Sequence, residues 1–128
     1  MFTYHLKADK FIQSSFRALL MSEFLDLNEE ALFNIALATG EALQNIVRYG
    51  YAFQEHKEVK LEIERADKLF TVNIIDDAPP CPIDRFMHQT YAPSDHGGMG
   101  LTIIKKLTHT FDIKPSNQGN CTTLVFLL

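Results

Sequence analysis

Glu41 and Asn45 stand four residues apart in a stretch whose apolar residues recur at helical spacing, so they are neighbours on one helix face. An amide oxygen is a hard ligand suited to Mg²⁺, and a carboxylate beside it can orient a nucleophile or accept its proton. The pair is either a surface carboxylate next to a helix amide or the lining of a ligand pocket. From Ala31 to Val47 Glu41 is the only formal charge, and a helix so nearly uncharged is covered on both sides. Asp76 is the second candidate. It shares the parity of Phe70, Val72 and Ile74 and so ends the inward row of a strand, where a carboxylate is costly unless it has partners. It either caps a turn beyond the strand or accepts hydrogen bonds from a buried ligand, such as an exocyclic amine. Asp77 points the other way, toward solvent. The third is His96-Gly97-Gly98-Met99-Gly100-Leu101. Free N–H groups at a glycine-rich helix start suit a phosphate, though the same residues also make an ordinary loop-to-helix junction. No Gly-Lys-Ser/Thr follows and no βαβ unit surrounds it, which excludes a Walker A loop and a dinucleotide fingerprint.

The elements that must position these residues follow from periodicity. Residues 3–7 read as a short strand. Phe11, Ile12, Phe16, Leu19 and Leu20 place an amphipathic helix over 10–24. Asn28 is an N-cap, with Glu29 and Glu30 in the first turn where the helix dipole favours them, and the helix it opens runs to about Tyr49 and stops at Gly50. Leu32, Ile35, Ala36, Ala42, Leu43, Ile46 and Val47 share its core arc, while Asn34, Leu37, Ala38, Glu41 and Asn45 lie opposite. Val59, Leu61 and Ile63, then Phe70, Val72 and Ile74, alternate with polar residues about the turn 66–68, which predicts an antiparallel hairpin. Pro79, Pro80 and Pro82 end it. Leu101, Ile104 and Leu107 share one side of a helix reaching about His109. Residues 111–114 and 121–127 form a closing hairpin across 115–120. The order β-α-α-β-β-α-β-β implies an α+β fold with a mostly antiparallel sheet and helices on one face.

Composition bounds the rest. The chain has 128 residues, with Lys+Arg 12 against Asp+Glu 16 for a net charge of −4, and is 46% hydrophobic. One domain over residues 1–128 is expected. The acidic balance without a basic cluster argues against nucleic acid and anionic membranes as partners. No apolar run approaches the roughly 18 residues of a membrane span, and the opening residues lack a signal-peptide core, so a soluble cytoplasmic domain is expected. Cys81 and Cys121 match no metal motif and are too sparse for a disulfide scaffold. His5, His56, His88, His96 and His109 show no ligand spacing. Lys105-Lys106 reads as a solvated helix face, and Ser94-Asp95 as loop residues without a base partner.

Glu-x-x-x-Asn on a helix, an Asp at a strand end and a Gly-rich helix start, in that order, resemble the GHKL (Bergerat-fold) superfamily of ATP-binding domains. It groups gyrase-type ATPases, MutL and histidine-kinase catalytic domains. The chain is most similar to the small anti-sigma-factor serine/threonine kinases of bacterial partner-switching systems, over essentially its whole length. Glu41-Ala42-Leu43-Gln44-Asn45-Ile46-Val47-Arg48-Tyr49-Gly50-Tyr51 resembles their N box, E-A-x-x-N-A-x-x-H-x-Y. Ile74-Ile75-Asp76-Asp77-Ala78-Pro79-Pro80 resembles the G1 box, and Gly98-Met99-Gly100-Leu101 the G2 box. The resemblance implies a Bergerat-type two-layer α/β sandwich that binds ATP. Asn45 would coordinate a Mg²⁺ bridging the phosphates, Glu41 would be the general base, and Asp76 would accept from the adenine amino group. Gly98, Gly100 and Leu101 would close on the phosphates, with residues 85–96 as the lid. Thr122, in phase with Leu124 and Phe126, would be the adenine-side threonine, unless the match slips to Thr123. The implied activity is phosphorylation of a small STAS-type antagonist on Ser or Thr, with sequestration of a sigma factor. Related proteins form homodimers through their sheets, and the apolar edge 124–128 is suited to that. Three positions depart from the pattern: Ala78 replaces the G1 glycine, Ile46 an Ala and Tyr49 a His. They favour an alternative, a nucleotide-binding interaction module without turnover. A stand-alone histidine-kinase catalytic domain is the third reading, and the absence of a preceding phospho-acceptor hairpin counts against it.

Overall fold

A computed structural model describes residues 1–82 and 96–128, with side chains described from residue 100 onward in the second segment. Strand β1 (Phe2–Lys7) leads into helix α1 (Ile12–Glu23), which buries Ile12, Phe16 and Leu20, one apolar residue per turn. Helix α2 (Glu29–Asn45) begins at Asn28, whose Oδ1 accepts from the Ala31 N–H at 2.8 Å. This satisfies one of the donors that every helix start leaves free. The regular α-helix ends at Asn45, four residues short of the expected Tyr49. A π-type turn, Ile46–Gly50, takes over, closed by the Tyr51 N–H on the Ile46 carbonyl at 2.8 Å.

Strands β2 (Glu58–Ala66) and β3 (Leu69–Asp76) form the expected hairpin, turned by Asp67 at φ 55°, a left-handed conformation that Asp tolerates better than most residues. Helix α3 (His96–Leu107) and strands β4 (Thr110–Ser116) and β5 (Gly119–Leu127) complete the fold. Helix α3 stops before the expected His109, because the His109 N–H already donates to the Val125 carbonyl in the sheet and Thr108 Oγ1 donates to the Ile104 carbonyl. The sheet order is β1-β2-β3-β5-β4, and every pairing is antiparallel. One face carries Val59, Leu61, Ile63, Phe70, Val72, Ile74, Leu124 and Phe126 into a single core with Phe16 of α1, Leu43 of α2 and Ile104 of α3. This is the expected α+β sandwich.

The expected double cover of α2 is present: Leu32 and Ala36 pack half-buried against the core, and Ala38 and Asn45 on the opposite arc are buried, because α2 lies between α1 and α3. Two expectations need correction. The segment 115–120 is not a loop: β4 and β5 stay paired to Ser116↔Gly119, which puts Asn120 in the sheet opposite Asp76. Residues 124–128 are not a free edge. Strand β5 lies between β3 and β4, and Leu124 and Phe126 face the core, so an edge-to-edge partner would have to meet β1 or β4. Among the described residues no helix is long and apolar enough to cross a membrane.

Gly119 sets the register at the end of the sheet. Its φ is +131°, and a methyl group there would lie 1.9 Å from the Asp76 carbonyl oxygen. Gly119→Ala is expected to lower the urea midpoint by the equivalent of at least about 2 kcal/mol, by combining strain with a lost strand contact. An unchanged midpoint would contradict this packing.

Candidate functional site

The first and third sequence candidates meet on α2. A methyl group on Gly100 of α3 would lie 2.8 Å from Glu41 Oε2 and 3.8 Å from Asn45 Nδ2. An Ala at this position would therefore push the Glu41 carboxylate aside. Glu41 is half-buried, and its other oxygen accepts a long hydrogen bond, 3.5 Å, from Gln13 Nε2 of α1. Gln13 also covers Gly40, whose added methyl group would meet Gln13 Cγ at 3.3 Å. Asn45 is buried at 7% exposure, and its Nδ2 has no hydrogen-bond partner among the described residues. A buried amide left short of a partner is unusual and marks a place where a ligand can supply one. The donor chemistry fits Mg²⁺, since both the Asn45 amide oxygen and the Glu41 carboxylate are hard ligands. Leu101 and Gly100 are buried where α3 meets α2. Gly98 falls in the first turn of α3. Of the lid 85–96, residues 85–95, including Ser94-Asp95 and His88, lie outside the described residues.

Asp76 forms a second cluster at the end of β3. It is buried at 6% exposure, and its Oδ1 accepts from the Ala78 N–H and from Asn120 Nδ2, both at 2.9 Å. Burial pushes its carboxyl above the ordinary carboxylate range. The Asn120 amide, the Ala78 N–H and the Asn120 N–H pull it partly back, and the nearby Asp77 charge adds to the rise. Asp77 is exposed, as expected. Its carboxyl is held low by the Tyr51 hydroxyl and then by Lys57, whose Nζ lies 3.5 Å from Oδ2. Tyr51, the last N-box position, is buried. Its hydroxyl donates to the Glu58 carbonyl at 2.9 Å and accepts from the Asp77 N–H at 3.0 Å, and burial raises its phenol. Burial, followed by the Asp76 charge, likewise pushes up the Cys81 thiol.

Ala78 is buried, and a methyl group on Gly50 would meet its Cβ at 3.2 Å. The side chain absent at Gly50 thus makes room for the one present at Ala78. Thr122 is buried opposite Ile74 on the core face, whereas Thr123 lies on the other face and donates to Asn73 Oδ1 at 2.6 Å. Among the described residues no cluster of His, Cys, Asp and Glu suits a metal ion, and both cysteines are free.

Asn120 and Gln13 were not singled out from sequence. Asn120 shares the parity of Thr122, Leu124 and Phe126, so extending the strand pattern by one inward position would have found it. Nothing in the spacing marks Gln13, which depends on how α1 crosses α2.

A family model described as the histidine kinase-like ATPase domain matches residues 9–126. A comparison with curated proteins found no match. Among solved structures, the RsbU and RsbW domains of Rv1364c from Mycobacterium tuberculosis align over 100% of this chain and 32% of that one, at 19% identity and a TM-score of 0.70. A histidine kinase domain from the blue-light activated kinase of Erythrobacter litoralis aligns over 76% of this chain and 47% of that one, at 19% identity and TM-score 0.57. The catalytic domain of histidine kinase ThkA aligns over 99% and 96%, at 14% identity and TM-score 0.62. The chain thus spans less than half the length of the first two, and all three likenesses are likenesses of fold.

Two measurements probe this region. A carboxyl raised in the folded chain binds its proton more tightly there than when unfolded. That contribution is complete below the ordinary carboxylate value and is lost as pH rises through the folded one. Asp76→Asn, which cannot ionise, is therefore expected to be more stable than the native chain above about pH 4, with the difference vanishing in acid. Parallel stability–pH curves would refute it. Gly50→Ala is expected to cost about 1 kcal/mol by overpacking against Ala78. Most of that should return in the Gly50→Ala/Ala78→Gly double variant, and simple additivity in the cycle would show that the two sites do not touch.

Proposed function

The chain belongs to the histidine kinase-like ATPase domain family, and from that premise we propose that it is an ATP-dependent serine/threonine protein kinase acting as an anti-sigma-type regulator. The carrying observation is the convergence of the Glu41 carboxylate and the incompletely partnered Asn45 amide on the glycine of the α3 start. In this reading the base of ATP meets Asp76, with Ala78 and Thr122 beside it, and the phosphates lie toward Gly98, Gly100 and Leu101. Asn45 would hold Mg²⁺ through its amide oxygen, and the ion when bound neutralises phosphate charge. Glu41 orients the hydroxyl of a substrate Ser or Thr and takes its proton as the oxygen bonds to the γ-phosphorus. The bond from that phosphorus to the β–γ bridging oxygen breaks, and ADP leaves. The half-buried position of Glu41, steadied by Gln13, suits a base that must keep one direction.

The substrate would be a small STAS-type antagonist protein, and a sigma factor would be the partner held in turn, in the cytoplasm. The likeness to a chain carrying an RsbW domain supports this reading. Residues 1–128 would form a single ATP-binding kinase domain. A second reading, a nucleotide-binding module without turnover, is favoured by Ala78 at the G1 glycine position.

Calorimetric titration with a non-hydrolysable ATP analogue is expected to show binding that strengthens with Mg²⁺ and weakens at least about tenfold in Asn45→Ala. With a candidate STAS-type antagonist, Glu41→Ala should lower γ-phosphate transfer by about 10²-fold or more while changing nucleotide binding little. The phosphorylated product should survive acid, as phosphoserine does and phosphohistidine does not. Equal transfer by Glu41→Ala would sink the assignment of the base. Binding without transfer to any antagonist would select the second reading.

A further inference from the structure

We propose that Asn120 is the positioning residue of the purine end of the site: it fixes the Asp76 carboxylate and the backbone beyond it, and thereby sets a preference for a purine carrying a 6-amino group. The inference rests on the reading above that Asp76 faces the base. Asn120 is buried, and both ends of its amide are engaged. Nδ2 donates to Asp76 Oδ1 at 2.9 Å, to the Pro79 carbonyl at 3.1 Å and, more weakly, to the Ala78 carbonyl at 3.5 Å. Oδ1 accepts from the Cys81 N–H at 2.7 Å. One side chain thus ties the last residue of β3 to the segment 78–81 that runs away from it.

That segment needs an external tie. Pro79 and Pro80 have no N–H to donate, so it cannot continue a ladder with a neighbouring strand. Its remaining polar groups must find partners elsewhere. Asn120 stands in register opposite Asp76, so the tie is as rigid as the β3–β5 pairing that carries it.

The consequence for recognition lies in which oxygen is used. The Asn120 amide and the Ala78 N–H both fall on Oδ1, and neither uses Oδ2. Two donors on Oδ1 restrict rotation of the carboxylate, and in this reading Oδ2 is the acceptor left for the base. A 6-amino group can donate to it, a 6-keto group would set oxygen against oxygen, and a purine with neither gains nothing from it. Asn120 acts through Asp76 and does not itself contact the base.

The test compares two triphosphates, ATP and the purine riboside triphosphate that lacks the 6-amino group, titrated calorimetrically into the native chain, Asn120→Ala and Asn120→Asp. The Asp variant keeps the shape and the acceptor for the Cys81 N–H but turns an oxygen toward Asp76. The native chain should prefer ATP by about tenfold or more, and both variants should lose most of that ratio. Both ligands meet the same folded fraction, so a loss of stability alone does not move the ratio. If Asn120→Ala does not fold, Asn120→Asp carries the comparison. A fall in affinity for both triphosphates by the same factor, or an unchanged preference, would overturn the inference while nucleotide binding stood. A native chain that binds both equally overturns it too. A native chain that binds neither overturns the reading of the site itself, and this inference with it.

Discussion

Helix α2 is apolar around most of its circumference, and it can exist in water only if two surfaces cover it. The sheet core takes one arc, through Ile35, Leu43 and Val47. The rest of the circumference holds Ala38, Gly40 and Asn45, all buried, and it needs α1 on one flank and α3 on the other. Small residues are what allow both helices to come close. Gln13 of α1 lies over Gly40, and Gly100 of α3 lies against Glu41. The demand of one helix for cover thus places the carboxylate, the amide and the glycine-rich helix start within reach of each other. A charge elsewhere on that part of the circumference would have left α3 without a seat.

The frame was legible in the sequence because it rests on period alone. The alternating rows of β2 and β3, the Asn28 cap and the burial of Asp76 follow from positions of apolar and polar residues, and the structure carries each of them. The shortage of charge between Ala31 and Val47 also announced the double cover of α2. What stayed hidden depends on side chains meeting across elements. The last turn of α2 widens at Ile46–Gly50 and brings Tyr51 to the Glu58 carbonyl and the Asp77 N–H, which no helical wheel contains. Pro115 and the polar run 116–120 suggested a long loop, yet Ser116 Oγ donates to the Gly119 carbonyl and closes a two-residue turn. That tight turn carried Asn120 into the sheet and out of view of a loop-based reading. Strand order was also beyond periodicity: nothing in the apolar row of β5 says that it inserts beside β3.

The end of β3 shows stability given up locally. A carboxylate at 6% exposure is harder to ionise than one in water, and Asp77 next to it adds to that difficulty. The surroundings offset part of this with oriented donors, and the same donors brace the chain. Tyr51 holds the Asp77 amide from one side while Asn120 holds the Ala78 and Pro79 carbonyls and the Cys81 amide from the other. Ala78, seated against Gly50, fills the space between. A carboxylate held in this way keeps its local stability only through its fixed partners, the Asn120 amide and the Ala78 N–H.

The place of β5 in the sheet has a consequence for how the molecule comes into being. Strands β1, β2 and β3 are contiguous in space, but β3 waits for a neighbour from the far end of the chain, and Asp76 waits with it for Asn120. During synthesis the first three strands and two helices emerge with one side of β3 unpaired and with the arc of α2 that α3 will cover still bare. The pairing that closes the sheet spans 44 residues between Asp76 and Asn120, a separation that makes closure slow compared with the local hairpins. A chain that has not yet released β5 therefore lacks the Asp76–Asn120 pairing, so this end of the sheet is completed only after the β2–β3 hairpin has formed.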